Sequence, residues 1–399
     1  MATYPITHIN SEMRGAPIIA GNARGNLIAA IDAWCTGFGL VTAIKVTVAA
    51  GVATAELQPG QGFDLHTVIE VAGATPAALN GKSRVIEVMG GKDIKFPTTA
   101  PDGIATGTIT IKVAGSGWTK AFTAANKAVY RSPDVLGSRH FYRIDESGGA
   151  TNMARVRGFE NMTTVDAGTG LYPTNTQING GGYWVKSYQA DAAPVRYDIF
   201  GDSRFVMIAI ASAFSLGPDY KGSVVRGFGD PIALNPAGDA YSACISCSTY
   251  TSSSDPQYGG FNGPVSLGAG AVYAARSRAA TGTSRDLGVK AFIGTVSGYS
   301  GEDGFLGALS DQPDGAMKFS QAFLFDDSSQ ASYTTPRAVV PGLLYVPHSG
   351  VVAAVQARDY LMGAEALDGR ILMALPVSIS PGSYSGVHFV DLTGPWRPL

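Results

Sequence analysis

The stretch Gly73–Val88, GATPAALNGKSRVIEV, decides how the chain is read. Its Asn80-Gly81-Lys82-Ser83 has the ending of a phosphate-binding loop and also the chemistry of a hairpin turn. A phosphate loop needs a glycine five residues before the Gly-Lys pair, so that successive N–H groups wrap the anion. That position is Pro76, which has no N–H. The loop must also open a helix, whereas Arg84-Val85-Ile86-Glu87-Val88 alternates as a strand does. Asn-Gly tolerates positive φ at both turn positions. The stretch is therefore read as two strands meeting at an Asn80-Gly81 hairpin tip, and nucleotide chemistry is set aside.

Composition extends the β reading to the whole chain. Glycine supplies 51 of 399 residues, about 13% where about 7% is usual. Charged residues make up 15%, against about 25% in an average domain. The 29 basic and 31 acidic residues leave a net charge of −2, so the chain as a whole has no cationic excess for nucleic acid. A glycine-rich, weakly charged and 45% hydrophobic chain fits an all-β protein that covers part of its surface with other subunits.

The start, MATYPITHINSEMRGAP, lacks the charged and apolar regions of a secretory signal. The longest apolar run, Phe205–Phe214, is half of what a spanning helix needs. No signal peptide and no membrane insertion are expected. Three cysteines, Cys35, Cys244 and Cys247, are too few and too odd for a disulfide framework. Cys244 and Cys247 form a C-x-x-C, but in a strand context residues three apart point to opposite faces, which diverts the thiols from a shared metal. They are read as small packing residues.

Three pieces follow along the chain. Residues 1–40 are an N-terminal arm with one short helix, in which Leu27, Ile28, Ile31, Trp34 and Cys35 share a face. Asn26 is the expected cap and Gly37 or Gly39 the stop. Residues 41–115 carry five or six short strands, with a hairpin about Ala50-Gly51, and are read as a small β-barrel module. Residues 116–399 are read as a larger β-sandwich-like domain with an extended C-terminal tail. Its strands include RHFYRIDE, MARVRGFENM, RYDIF, SRFVMIAIASAF and FSQAFLFDD. Both alternating sets of Phe205–Phe214 are apolar, so that strand is expected to be covered on both faces.

The pattern Gly73, Thr75, Pro76, Asn80 and Gly81 within GQGFDLHTVIEVAGATPAALNGKSRVIEV resembles small β-barrel modules of bacteriophage tail, fibre and baseplate proteins. Further on, NMARVRGFENMTTVDAGTGLYPT, PGLLYVPHSG and the ending VHFVDLTGPWRPL resemble a family of uncharacterised structural proteins of tailed phages and prophages. The resemblance implies a virion protein made in the host cytoplasm. Its partners would be other virion structural proteins and copies of itself. Within that setting a tail-tip or baseplate assembly adaptor comes first, and a capsid decoration or neck protein second. A host-receptor glycan-binding module and a glycan hydrolase are the alternatives from other classes.

Catalytic patterns are thin. The five histidines are scattered, no Gly-x-Ser-x-Gly or His-Glu-x-x-His occurs, and the carboxylate pairs Glu302–Asp303 and Asp326–Asp327 sit among turn residues. The expectation is a non-enzymatic chain without cofactor or metal. Candidate subunit contacts are Tyr4, Ile6, Ile18, Trp396 and Pro398, because Pro-stiffened arms with isolated aromatic and branched residues suit docking into a neighbour. Candidate binding-loop residues, for a host surface glycan, are Tyr183, Trp184, Tyr258 and Phe261, aromatics set beside glycines and amides.

Overall fold

A computed structural model describes residues 4–212, 224–235, 238–249, 259–261, 272–290, 302–303, 307–308, 319–326, 336–346, 351, 354–377 and 387–397. The chain is all-β, its strands joined antiparallel throughout the described sheets. A helix, Asn26–Thr36, lies inside this β framework.

The deciding stretch forms a hairpin of a different kind from the one expected. Strand Val68–Ala72 pairs with strand Gly81–Arg84, and Val71 stands opposite Gly81. The turn is thus the long loop Gly73–Asn80, and Asn80-Gly81 ends it rather than forming a two-residue tip. Asn80 closes the loop with its side chain. Its Oδ1 accepts Ala74 N–H at 2.9 Å and its Nδ2 donates to Ala74 O at 2.8 Å, an amide imitating one rung of a ladder. The run after it is not one strand either. Gly81–Arg84 belongs to a four-stranded sheet and Glu87–Met89 to a five-stranded one. The chain crosses between them at Val85 and Ile86, where Val85 N–H donates to Thr67 O and Ile86 N–H to Lys95 O. A strand that switches sheets is how a small barrel turns its corner. Period-2 alternation continues through such a corner, which is why the sequence reads as a single strand.

A second crossing occurs at Ala43 and Ile44, between strands Gly37–Thr42 and Lys45–Ala49. Nine described strands from Gly37 to Ala114 build the two sheets, more than the five or six expected, because the two corners each divide a run and GIATGTITIKVAG divides into Gly103–Ile104 and Thr110–Ala114. The Lys45–Ala49 and Val52–Glu56 hairpin turns at Ala50 and Gly51 with φ of 51° and 77°, the left-handed pair that such a tight turn requires. Asp102 accepts Ala50 N–H at 2.9 Å and holds the non-glycine residue there.

Beyond the barrel a six-stranded sheet runs Thr119–Ala124, Lys127–Arg131, Phe141–Asp145, Met153–Met162, Gly168–Tyr172, with Gly182–Val185 also paired to Met153–Met162. One face of it (Tyr130, Tyr142, Ile144, Val156, Tyr172) joins the helix and the barrel interior in a continuous core. The largest sheet has thirteen described strands, from Thr7–Asn10 at one edge to Tyr360–Met362 at the other. Phe205–Ile210 is buried at every position, because its two faces line two different cores: Val206 and Ile208 the first, Phe205 and Met207 the second. The rest of the predicted apolar run, 213–214, lies outside the described residues.

The edges of this sheet come back together. Arg358, just before the last strand, donates to Asp198 at 3.1 Å and to Tyr197 O at 3.1 Å, and pairs with Glu12 at 2.7 Å. His8 on the first strand meets the same Asp198 at 2.6 Å and stacks on Phe200. Side chains rather than a backbone ladder therefore clasp the two ends of the sheet around its core. The histidines carry an acid sensitivity into this structure. His388, buried with its ring tilted against Tyr345, is pushed down to about 3 by burial. Burial also lowers His66 and His140. A histidine held neutral when folded binds its proton only after unfolding, so stability falls as pH drops below about 6.5. His388 alone should cost about 2 kcal/mol at pH 5, from 1.36 kcal/mol per pH unit below the free value. Chemical denaturation of wild type and His388→Phe from pH 7 to 4.5 checks this: the variant should show the shallower pH slope.

Candidate interaction surface

The helix shows how the charged residues are spent. Asn26 does not cap it; Gly25, at φ 77°, holds that position. Glu146, from the end of strand Phe141–Asp145, reaches over instead and accepts Leu27 N–H at 3.3 Å. Its charge sits at the positive end of the helix dipole. Lys186 answers it at 2.8 Å, and both side chains are fully buried. The ammonium also donates to Ala23 O at 2.8 Å and to Asn26 Oδ1 at 2.9 Å. All three of its protons are thus used. Burial raises Glu146 and lowers Lys186, and each is partly restored by the other. This pair fixes helix, arm and six-stranded sheet together.

The two arms do the same on a larger scale, which corrects the expectation for Ile6 and Trp396. Trp396 is 8% exposed and Ile6 1%, both in the core enclosed by the rolled sheet. The indole packs flat on Gly342 and donates to Asp391 O at 2.7 Å; Ile6 packs on Gly394. Arg397 bonds to Asp202 at 2.9 Å and to Asp230 O. Arg84 at the barrel corner donates to Leu392 O at 2.6 Å. Apolar residues spaced too sparsely to build a core alone complete one contributed by distant strands. Tyr4 is half-buried against Arg84. Ile18 remains 65% exposed, and Pro398 lies outside the described residues.

Among the binding-loop candidates, Trp184 and Phe261 are fully buried. Trp184 donates to Ser246 O at 2.6 Å and stacks near Phe228; Phe261 packs on Phe205. Neither ring can receive a sugar. Tyr183 is half-buried with the Arg155 guanidinium 4.0 Å above its ring, and Tyr258 lies outside the described residues. Asp326 pairs with Arg337 at 2.9 Å; its neighbour Asp327 and the Glu302 and Asp303 side chains are not described. Cys244 and Cys247 face different cores, as strand geometry requires, and burial raises both thiols far above their usual range.

The most exposed large apolar pair among the described residues was not among the sequence candidates. Val135 and Leu136, 76% and 80% exposed, form the tip of the loop 132–140. The loop is held from below. Asp134 accepts Leu136 N–H at 2.9 Å, Ser203 Oγ at 2.9 Å and Arg204 Nε at 2.7 Å. Burial alone would raise this carboxyl, but those hydrogen bonds hold it below its ordinary range. Asp230 takes Ser138 N–H at 2.6 Å. Two apolar side chains are thus presented to water on a rigid mount. The sequence signal was available in Ser132-Pro133-Asp134-Val135-Leu136-Gly137, a turn whose tip is apolar where turns are ordinarily polar.

The described residues define an all-β chain of a four-stranded and a five-stranded sheet between Gly37 and Ala114, a six-stranded sheet and a thirteen-stranded sheet. No family model matches it, and no curated protein matches it in sequence. Among solved structures it is similar to a phage phi92 endosialidase at 9% identity and a TM-score of 0.16. That alignment covers 90% of this chain and 53% of the endosialidase chain, about half its length. A likeness at that score carries no argument about fold or activity.

Proposed function

We propose that the chain is a non-enzymatic structural protein of a tailed-phage virion, acting at the tail tip or baseplate as a rigid adaptor between neighbouring subunits. The observation that supports the adaptor role best is the Val135–Leu136 tip, apolar and exposed on a loop anchored by Asp134 and Asp230. An apolar projection of this kind acts as an anchor in a partner's pocket. The resemblance of Gly73–Gly81 to small modules of phage tail, fibre and baseplate proteins, and of the 152–174 segment to uncharacterised structural proteins of tailed phages and prophages, supplies the setting. Further exposed apolar residues, Ile18, Leu40, Ile104 and Met362, give the surface additional contacts for copies of itself or other virion proteins. The chain ends no longer contribute to this reading, since Trp396 and Ile6 serve the chain's own core.

The test separates docking from folding. Leu136→Asp combined with Val135→Ser should leave the melting temperature within about 2 °C, since exposed positions away from packed features change stability by less than about 0.5 kcal/mol. Incorporation into particles should fall at least about tenfold in a phage carrying the variant. Normal incorporation would remove the tip from the interface.

A further inference from the structure

The outward face of the six-stranded sheet carries a charge pattern that the adaptor role does not use. Register places Arg131 opposite Phe141, Phe141 opposite Phe159, and Arg143 opposite Arg157. Lys127 stands opposite Asp145, and Asp145 opposite Arg155. Directly opposed residues share a face, so these side chains all project on the side away from the main core. Arg131, Arg143 and Arg155 descend it as a diagonal across three strands, each step roughly 7–8 Å between Cα atoms. Arg139 lies beside Arg131, which donates to Arg139 O at 2.7 Å. The face and the loop beside it thus gather six cations: Lys127, Arg131, Arg143 and Arg155 half-buried on the sheet, Arg157 buried at 5% exposure, and Arg139 on the loop 132–140.

Two carboxylates balance them in part. Asp166 pairs with Lys127 at 2.9 Å and with Arg143 at 3.2 Å, and Asp145 lies 3.9 Å from Lys127. Among the described residues no carboxylate pairs with Arg131, Arg139, Arg155 or Arg157. Arg155 and Arg157 bond only to neutral oxygens: Tyr183 OH, Asn179 O, Asn175 Oδ1 and Ile178 O. The surplus is therefore 6 − 2, four positive charges on and beside one sheet face, Arg157 among them buried, in a chain whose net charge is −2. Burial and the neighbouring Arg143 and Arg155 lower Arg157 to about 10, and burial and Arg139 lower Arg131. Like charges are thus held together with only Asp166 and Asp145 to balance them.

The geometry points to an external polyanion on this face, an acidic polysaccharide whose carboxylates engage the Arg131–Arg143–Arg155 diagonal. Guanidinium forks bind carboxylates bidentately, and a polymer with a carboxylate on each sugar meets several at once. Nucleic acid fits less well. Single strands are held by open aromatic faces on which bases stack, and here the rings are occupied: Arg131 lies 4.5 Å over Phe141 and Arg143 5.8 Å over Phe159. The face offers charge, not free rings.

The test uses the full chain and three probes by calorimetric titration at low salt: polygalacturonate, neutral dextran and single-stranded oligo(dT). Polygalacturonate should bind, weaken as salt rises, and bind Arg131→Gln/Arg143→Gln about tenfold more weakly. Arg131→Lys/Arg143→Lys, which keeps both charges, should retain binding to within a few-fold and guards against a folding defect in the glutamine variant. Lys45→Gln/Lys92→Gln removes the same charge from the barrel and should change affinity less than about twofold. Absence of polygalacturonate binding, an equal loss in the barrel variant, or binding of dextran would overturn the assignment. Tighter binding of oligo(dT) than of polygalacturonate would reassign the face to nucleic acid and overturn it equally.

Discussion

Trp396→Ala is expected to destabilise the chain by about 3–5 kcal/mol, the range for emptying a large aromatic from a core. The indole is one of the last side chains of the protein, yet it fills a space made by strands from three distant regions. Gly342 has no Cβ so that the ring can lie on its backbone, and Ile6, just before the first strand, packs on Gly394 in the same core. Removing the ring leaves a cavity and also orphans Asp391 O, which accepts the indole N–H at 2.7 Å. Urea denaturation reads the loss directly. A variant with unchanged stability would show that the tail is not part of the core and would return Trp396 to the list of subunit contacts.

Lys186→Met should be as damaging, for a different reason. The substitution keeps the apolar stem but deletes the charge, leaving Glu146 buried at the helix start with its charge uncompensated. Breaking one side of a buried pair costs about 3–5 kcal/mol, whereas replacing both sides can be nearly neutral. The double variant Lys186→Met/Glu146→Leu should therefore recover most of the loss, although Leu27 N–H and the Ala23 carbonyl are left without their partners. Melting of the two singles and the double closes the cycle. A double variant as unstable as the sum of the singles would mean the two residues stabilise independently and that the ion pair is incidental.

How much of this was legible follows from where the information resides. Strand existence is local, and Met153–Met162 and Phe205–Ile210 stood out because both faces of each are specified by the residues themselves. The divergence of Cys244 and Cys247 followed from strand periodicity for the same reason. The barrel corners at Ala43–Ile44 and Val85–Ile86 did not stand out, since alternation runs through a corner unbroken and only the partner strands show the change of sheet. Trp396, Ile6, Trp184 and Phe261 were misread together. Each is an isolated aromatic or branched residue near glycine or proline, and sequence cannot tell an anchor for a neighbour from a plug for the chain's own distant strands. The Glu146 cap was invisible because its helix lies 119 positions away along the chain. Val135 and Leu136 could have been found by asking which turns break the rule of polar tips.

Cryo-microscopy of intact particles carrying this chain tests the central claim most directly. The account predicts density at the tail tip or baseplate that fits the barrel and the rolled sheet, with the Val135–Leu136 tip seated against a neighbouring subunit and Trp396 inside its own chain. Particles that lack the chain altogether, or hold it with that tip facing open solvent, would contradict it.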